Sequence, residues 1–293
     1  MTLITLASIK GSPGVTTLAC LVGAAWPTGR RVIVAERDSD GGDLASRFSL
    51  STKTGWQSLT LAARRGEVPQ PIDAHLQKLP GGLEVLVGTQ GGGSDGGGRG
   101  AGQEAVRTVS EVAKCPSADV IVDLGRLHHE LPETQMWLKD SATVCIVLRS
   151  DAASIQHVRD RAGTLRELCG GRLLLAMVGN GPYSVSEVGR FIGVPDIVEM
   201  ADDPGAAAVL TAARGSGRRL ARSALVKSSR RLALTLAGAE PESSSPTQDE
   251  ADLRSPDDTS SPGLPRDGQG AESPTGKAGV HTSDRSLTLQ DHQ

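Results

Sequence analysis

Solid apolar runs alternate along this chain with stretches whose apolar residues recur at helical spacing. The first run is Leu3-Ile4-Thr5-Leu6-Ala7. Arg31 to Glu36, Leu83 to Val87, Ala118 to Gly125, Ala142 to Leu148, Leu173 to Val178 and the shorter Asp196 to Glu199 follow. Most carry apolar residues at consecutive positions, as parallel strands buried on both faces do. Helices are predicted between them. One runs from about Thr16, on Leu18, Leu21 and Val22, to near Trp26-Pro27-Thr28-Gly29. Others cover Asp43 to Phe48, Gly55 to Arg65, Gln103 to Lys114, Glu133 to Lys139, Ser184 to Ile192 and Ala206 to Ala213. Ala152 to Cys169 is amphipathic, with Ile155, Val158, Ala162, Leu165 and Leu168 near one face. Pro69 to Leu79 reads as loop and helix. Strands separated by helical stretches predict an α/β domain with a doubly wound, mostly parallel sheet over residues 1–236.

Two stretches depart from this rhythm. Gly88 to Gly100 contains the glycine-dense segment 91–100, which reads first as a mobile surface loop and second as a phosphate cradle or partner loop. Gly217 to Leu236 is rich in arginine, with Arg218, Arg219, Arg222, Arg230 and Arg231 beside Lys227. It reads as the last domain helix with a charged solvent face. The alternatives are a helix on an anionic lipid surface or a contact to non-specific DNA. From Gly238 onward Pro, Ser, Gly, Asp and Thr dominate without an apolar period, so residues 237–293 are expected to be a disordered tail.

Charge sharpens that boundary. Through Ala239 there are 27 basic and 23 acidic residues, and beyond it 4 and 11, so a mildly basic body carries an acidic tail. Aromatics are only 2% of the chain, so the core is expected to be built from Leu, Val, Ile and Ala. Cys20, Cys115, Cys145 and Cys169 have no metal-pair spacing and are expected to be reduced and structural. No stretch reaches the ~18 apolar residues of a membrane span, so stable membrane insertion is not expected. The first apolar run is short and has no basic segment before it, so it reads as a strand rather than a signal peptide, in a cytoplasmic protein. His128-His129-Glu130 has the composition of a metal cluster, but adjacent side chains diverge, and no metal is expected there.

The candidate chemistry follows the strands. After the first comes Lys10-Gly11-Ser12-Pro13-Gly14-Val15-Thr16-Thr17, a Gly-rich turn opening a helix. Such a turn presents backbone N–H groups to a phosphate. Gly14 and Thr16 fit the P-loop pattern G-x-x-x-x-G-K-[ST], while Val15 stands at the lysine position and Ile9 at the first glycine. Asp38 and Asp40 follow the second strand, and Asp123 with Gly125 ends the fourth. A nucleoside triphosphate site needs backbone donors, a Ser or Thr on Mg²⁺ and an acidic residue near the metal or the attacking water. Thr16, Asp123 and Asp38 are the candidates in that order. A dehydrogenase-like dinucleotide site fits poorly, because Gly11 to Gly14 lacks the G-x-G-x-x-G spacing.

On these residues the chain resembles the deviant-Walker-A ATPases of the ParA/MinD type, within the SIMIBI group of P-loop NTPases. That family includes partitioning, division-site and pilus-associated localisation proteins. The resemblance covers about residues 1–236. It implies that Lys10 is the signature lysine that crosses a nucleotide-sandwich homodimer. It implies that Gly11, Gly14, Val15, Thr16 and Thr17 surround ATP phosphates, and that Thr16 and Asp123 hold Mg²⁺. Asp38 matches the water-orienting aspartate, Asn180 the base-contacting asparagine, and Asp202-Asp203-Pro204 the segment closing over the base. Lys10, Asp38 and Asp123 are thus the implied catalytic set.

Val15 departs from the family, as do Ser12, Ile9 and the missing prolines after Asp123. Valine offers only a backbone N–H where a cation would stabilise charge on transferring oxygens. Pro13 stiffens the loop and removes one donor. The expectation is weaker nucleotide binding and slow or absent hydrolysis, in a dimeric switch that positions cargo. The alternative is a non-catalytic scaffold of the same fold that binds protein partners without nucleotide.

Overall fold

In a computed structural model the residues described are 2–10, 13–27, 29, 31–65, 72–88, 106–110, 118–211 and 217–238. All fall within one compact unit, Met1–Ser243. The glycine run 91–100, Gly11, Cys115 and the tail expected over 237–293, beyond Gly238, lie outside the described residues.

The strands are β1 (Leu3–Ser8), β2 (Arg31–Glu36), β3 (Gln77–Lys78), β4 (Glu84–Leu86), β5 (Ala118–Arg126), β6 (Thr143–Arg149), β7 (Arg172–Val178) and β8 (Ile197–Met200). The helices are α1 (Val15–Ala24), α2 (Leu44–Phe48), α3 (Trp56–Arg64), α4 (Pro132–Asp140), α5 (Ala152–Leu168), α6 (Val185–Ile192), α7 (Pro204–Thr211), α8 (Gly217–Ala221) and α9 (Ala224–Ala237). Residues 106–110 are helical as well. The eight strands form one sheet in the order β3-β4-β2-β5-β1-β6-β7-β8. All neighbours pair in parallel except β3 with β4. This is the doubly wound, mostly parallel α/β sheet that the alternation of apolar runs predicts.

Both faces of the sheet are covered, which explains why the strands read as unbroken apolar runs. Successive residues point to opposite faces. Leu3, Ala7, Ile33, Ala35, Val120 and Val122 pack with Trp56, Trp137, Val158 and Leu165 of α3, α4 and α5. Ile4, Leu6, Val34 and Ile121 pack with Leu18, Val22, Leu232 and Leu236 of α1 and α9. β1 lies mid-sheet between β5 and β6, so the loop after it opens where α/β sheets bind their ligands.

Two expectations are corrected. Within Pro69 to Leu79, residues 72–79 are described; they hold a 3₁₀ helix at Ile72–His75, in keeping with loop and helix, and then β3, an antiparallel edge strand that the expectation did not contain. Only Gln77 and Lys78 pair, too short a run to show a period of two. The stretch from Gly217 to Leu236 is not one helix. It breaks after α8, and Ser223 caps α9 by accepting from the Val226 N–H at 3.2 Å. Among the described residues no helix is long and apolar enough to cross a membrane.

Candidate functional site

α1 begins without a side-chain cap. Gly14 precedes it at φ +91°, ψ 32°, a left-handed conformation that glycine adopts without strain. The N–H groups of the first turn therefore have no side chain of their own to satisfy them, and the helix dipole adds partial positive charge there. Val15 turns its side chain into the apolar layer, 5% exposed, beside Leu18 and Leu44. It leaves only its backbone N–H to the loop. Thr16 is half-buried and Thr17 buried.

Asp123 lies behind this turn on β5 and is fully buried. Its Oδ1 accepts the Gly125 N–H at 2.9 Å, while Oδ2 has no hydrogen-bond partner. Burial pushes its carboxyl up to about 7, and Glu36 and Asp38 add to the rise; the Thr16 hydroxyl and Gly125 N–H oppose it. A buried, half-unsatisfied carboxylate is costly unless protonated or met by a cation. That donor set, with the Thr16 hydroxyl beside it, suits a hard divalent ion such as Mg²⁺.

Asp38 follows β2 and packs directly on Gly125. A Cβ built at Gly125, where φ is +55°, would lie 1.7 Å from the Asp38 Oδ2. The Asp38 Oδ1 accepts the Asp40 N–H at 2.9 Å, and burial raises its carboxyl above the usual aspartate range. The register Glu36↔Asp123 brings the two acidic strand ends side by side.

Glu36 is not a reactive partner of Asp38. It is 1% exposed, and its carboxylate accepts from the N–H groups of Asp43 at 2.7 Å, Leu44 at 2.9 Å and Gly88 at 2.9 Å. It therefore caps α2 and clasps the end of the β4 segment. Burial raises its pKa, and the three N–H donors pull against the rise.

These elements enclose a cavity of about 610 Å³. Its lining includes Gly14 to Leu18, Asp38, Asp40, Asp43, Arg47, Gly125 and Arg126, together with Arg149, Val178, Met200 to Pro204, Ala207, Ala208 and Thr211. Thus Gly14, Val15, Thr16, Thr17 and Asp38 meet at one cavity, with Asp123 buried behind it. Lys10 does not line it. It is exposed and lines a second cavity of about 260 Å³ with Arg149, Asp151, Ser154 and His157. Asn180 is also exposed and is not among the main cavity's lining residues, whereas Asp202, Asp203 and Pro204 are.

Three arginines of the main cavity, Arg47, Arg126 and Arg149, escaped the sequence reading. Arg149 pairs with Asp202 at 3.5 Å. The only local signal for Arg47 was its place four residues after Asp43, the spacing of a helical ion pair. His128 meets acidic groups from two segments. Its Nε2 is 3.1 Å from the Asp40 Oδ1 and its Nδ1 is 3.3 Å from the Glu130 Oε1. Among the described residues no group of three His, Cys, Asp or Glu is arranged to hold a metal. Cys20, Cys145 and Cys169 are free thiols; burial raises all three, Cys20 and Cys145 to about 12.

The fold is that of the doubly wound P-loop NTPases. Its consistent structural likeness is to ParA/MinD-family ATPases. It superposes on a ParA family ATPase from Chlorobium tepidum TLS with a TM-score of 0.61 and 16% identity, over 80% of this chain and 97% of that one. For the MinD cell division protein of Aquifex aeolicus the values are 0.62 and 19%, over 82% and 98%. For the septum site-determining protein MinD of Pyrococcus horikoshii OT3, complexed with Mg-ADP, they are 0.58 and 14%, over 80% and 94%. At such identities the likeness concerns the fold. No protein-family model matches the sequence, and no curated protein matches it.

Proposed function

We propose that this chain is a nucleotide-binding dimeric switch of the ParA/MinD kind, which takes ATP with Mg²⁺, hydrolyses it slowly and positions a cargo. The observation that carries the reading is the fully buried Asp123, its Oδ2 unpartnered, behind the uncapped first turn of α1. Backbone N–H groups from Gly14 to Thr17 would hold phosphate oxygens. Thr16 and Asp123 would hold the metal, directly or through water. Bound Mg²⁺ supplies positive charge for the phosphate oxygens. Asp38, seated on Gly125, would orient a water. The segment from Asp202 to Ala208 would cover the base. Lys10, exposed beside the smaller cavity, would act on the nucleotide of a partner subunit.

Calorimetric titration with ATP and Mg²⁺, with mass followed by light scattering, tests this. Micromolar binding that converts monomer to dimer is expected. Folded protein that gives no heat and no mass change up to about 1 mM nucleotide would refute it. One observation favours the second reading, a scaffold that binds protein partners without nucleotide. Val15 stands where the phosphate-binding lysine would be, and its side chain is committed to the core. The same titration separates the two.

A further inference from the structure

The loop after β1 brings no cation of its own to the main cavity, since Val15 is buried and Lys10 lines the other one. A different segment brings one to the same place. The Arg47 side chain, 19% exposed, lines the main cavity. Its Nη1 donates to the Thr17 Oγ1 at 3.3 Å, and its Nη2 to the Asp43 Oδ2 at 2.6 Å. We infer that Arg47 supplies in cis the positive charge that holds the phosphates of a nucleoside di- or triphosphate, replacing the lysine absent at position 15. The inference rests on the nucleotide-binding reading above and names the residue on which its affinity depends.

Arg47 is held in place from the core outward. Glu36, buried at the end of β2, accepts the first N–H groups of the α2 segment. Leu44 and Ala45 are buried in the apolar layer that contains Val15 and Leu18. That shared layer and the Arg47–Thr17 hydrogen bond place the α2 segment beside the first turn of α1. Its fork has five N–H donors, which two hydrogen bonds do not exhaust, and its planar geometry suits two phosphate oxygens at once. Three carboxylates, Asp38, Asp40 and Asp43, line the same cavity as Arg47. A polyphosphate entering there needs a local cation. Arg149, at the end of β6, has a side chain 53% exposed, against 19% for Arg47, and makes no hydrogen bond to the first turn of α1 among the described contacts. Arg126 is exposed at the end of β5. Arg47 is the arginine hydrogen-bonded to the first turn of α1.

The test is calorimetry on the full-length chain with Mg-ATP, Mg-ADP and adenosine as separate ligands, for the wild type, R47A, R47Q and R47K. R47Q keeps hydrogen-bonding capacity toward Thr17 without the charge, and circular dichroism melts establish that each protein is folded. R47A and R47Q are expected to bind ATP and ADP about ten- to a hundredfold more weakly, the loss of a charge-assisted hydrogen bond. R47K is expected to recover most of that loss, and adenosine affinity to stay unchanged. If the wild type binds ATP and folded R47Q binds it within about twofold, the assignment to Arg47 is overturned while nucleotide binding stands. An equal loss for adenosine would overturn it too, because the residue would then be shaping the cavity and not holding phosphate. If the folded wild type takes up none of the three ligands, both readings fall together.

Discussion

Replacing Asp123 by asparagine is expected to stabilise the ligand-free protein, by an amount that grows with pH. In the fold the Asp123 carboxyl is raised from 3.8 to about 7, chiefly by burial. Between those values the folded state binds more protons than the unfolded one, so stability is greatest below about pH 4 and falls as pH rises toward 7. Each pH unit of that rise is worth about 1.4 kcal/mol, so at pH 8 the ionised side chain costs up to about 4 kcal/mol. Asparagine keeps an oxygen for the Gly125 N–H and carries no charge. Urea unfolding at pH 5, 6, 7 and 8, with chelator and no nucleotide, gives the difference between D123N and wild type. It should be smallest at pH 5, widen by about 1 kcal/mol per pH unit and level off above pH 7. A gap that does not change with pH, or a D123N protein less stable than wild type at pH 8, would refute the reasoning. The same substitution should abolish any response of the melting temperature to Mg²⁺ with ATP, since the metal would lose its charged partner.

Other perturbations probe the supports of the site. Gly125→Ala places a methyl group against the Asp38 carboxylate in a left-handed backbone, so a loss of about 2–4 kcal/mol is expected in urea unfolding; a loss under about 0.5 kcal/mol would mean that the close contact is not real. Glu36→Ala strands three buried or half-buried N–H groups, and about 3 kcal/mol of stability should go with them. Faster hydrogen exchange at Leu44 and Gly88 would confirm the clasp, and unchanged exchange there would count against it. Arg218, Arg222, Lys227 and Arg230 are exposed on α8, α9 and the turn between them, while Arg231 donates to the Glu199 carbonyl and the Arg219 side chain lies outside the described residues. If those four exposed cations contact DNA phosphates, log affinity should fall against log salt with a slope of about −4. No binding at about 50 mM salt, in the full chain and in one ending near residue 238, would remove DNA as a partner.

The sequence by itself determined the layering. Strands such as Val120-Ile121-Val122 are covered on both faces, so burial writes itself as an unbroken apolar run that needs no partner to be recognised. The Gly-rich turn before α1 was legible for a similar reason, because a left-handed residue before a helix leaves a local mark, Gly14. β3 was not legible, since two paired residues carry no period. Nor was the break before α9, where only the Ser223 cap ends one helix and starts the next.

What the polar residues do was decided by tertiary structure. Glu36 and Asp38 look alike in the chain, two acids at the end of a strand. In the fold one is buried under three N–H groups and the other is seated on Gly125. Arg47 meets Thr17 across 30 residues, and His128 meets Asp40 across 88. The β2–β5 and β1–β5 registers bring the ends of these strands together. The physical reason is range. Hydrophobic burial acts on every residue of a strand and leaves a periodic trace in sequence. A polar side chain acquires its role from one or two partners, set beside it only when the sheet closes its register.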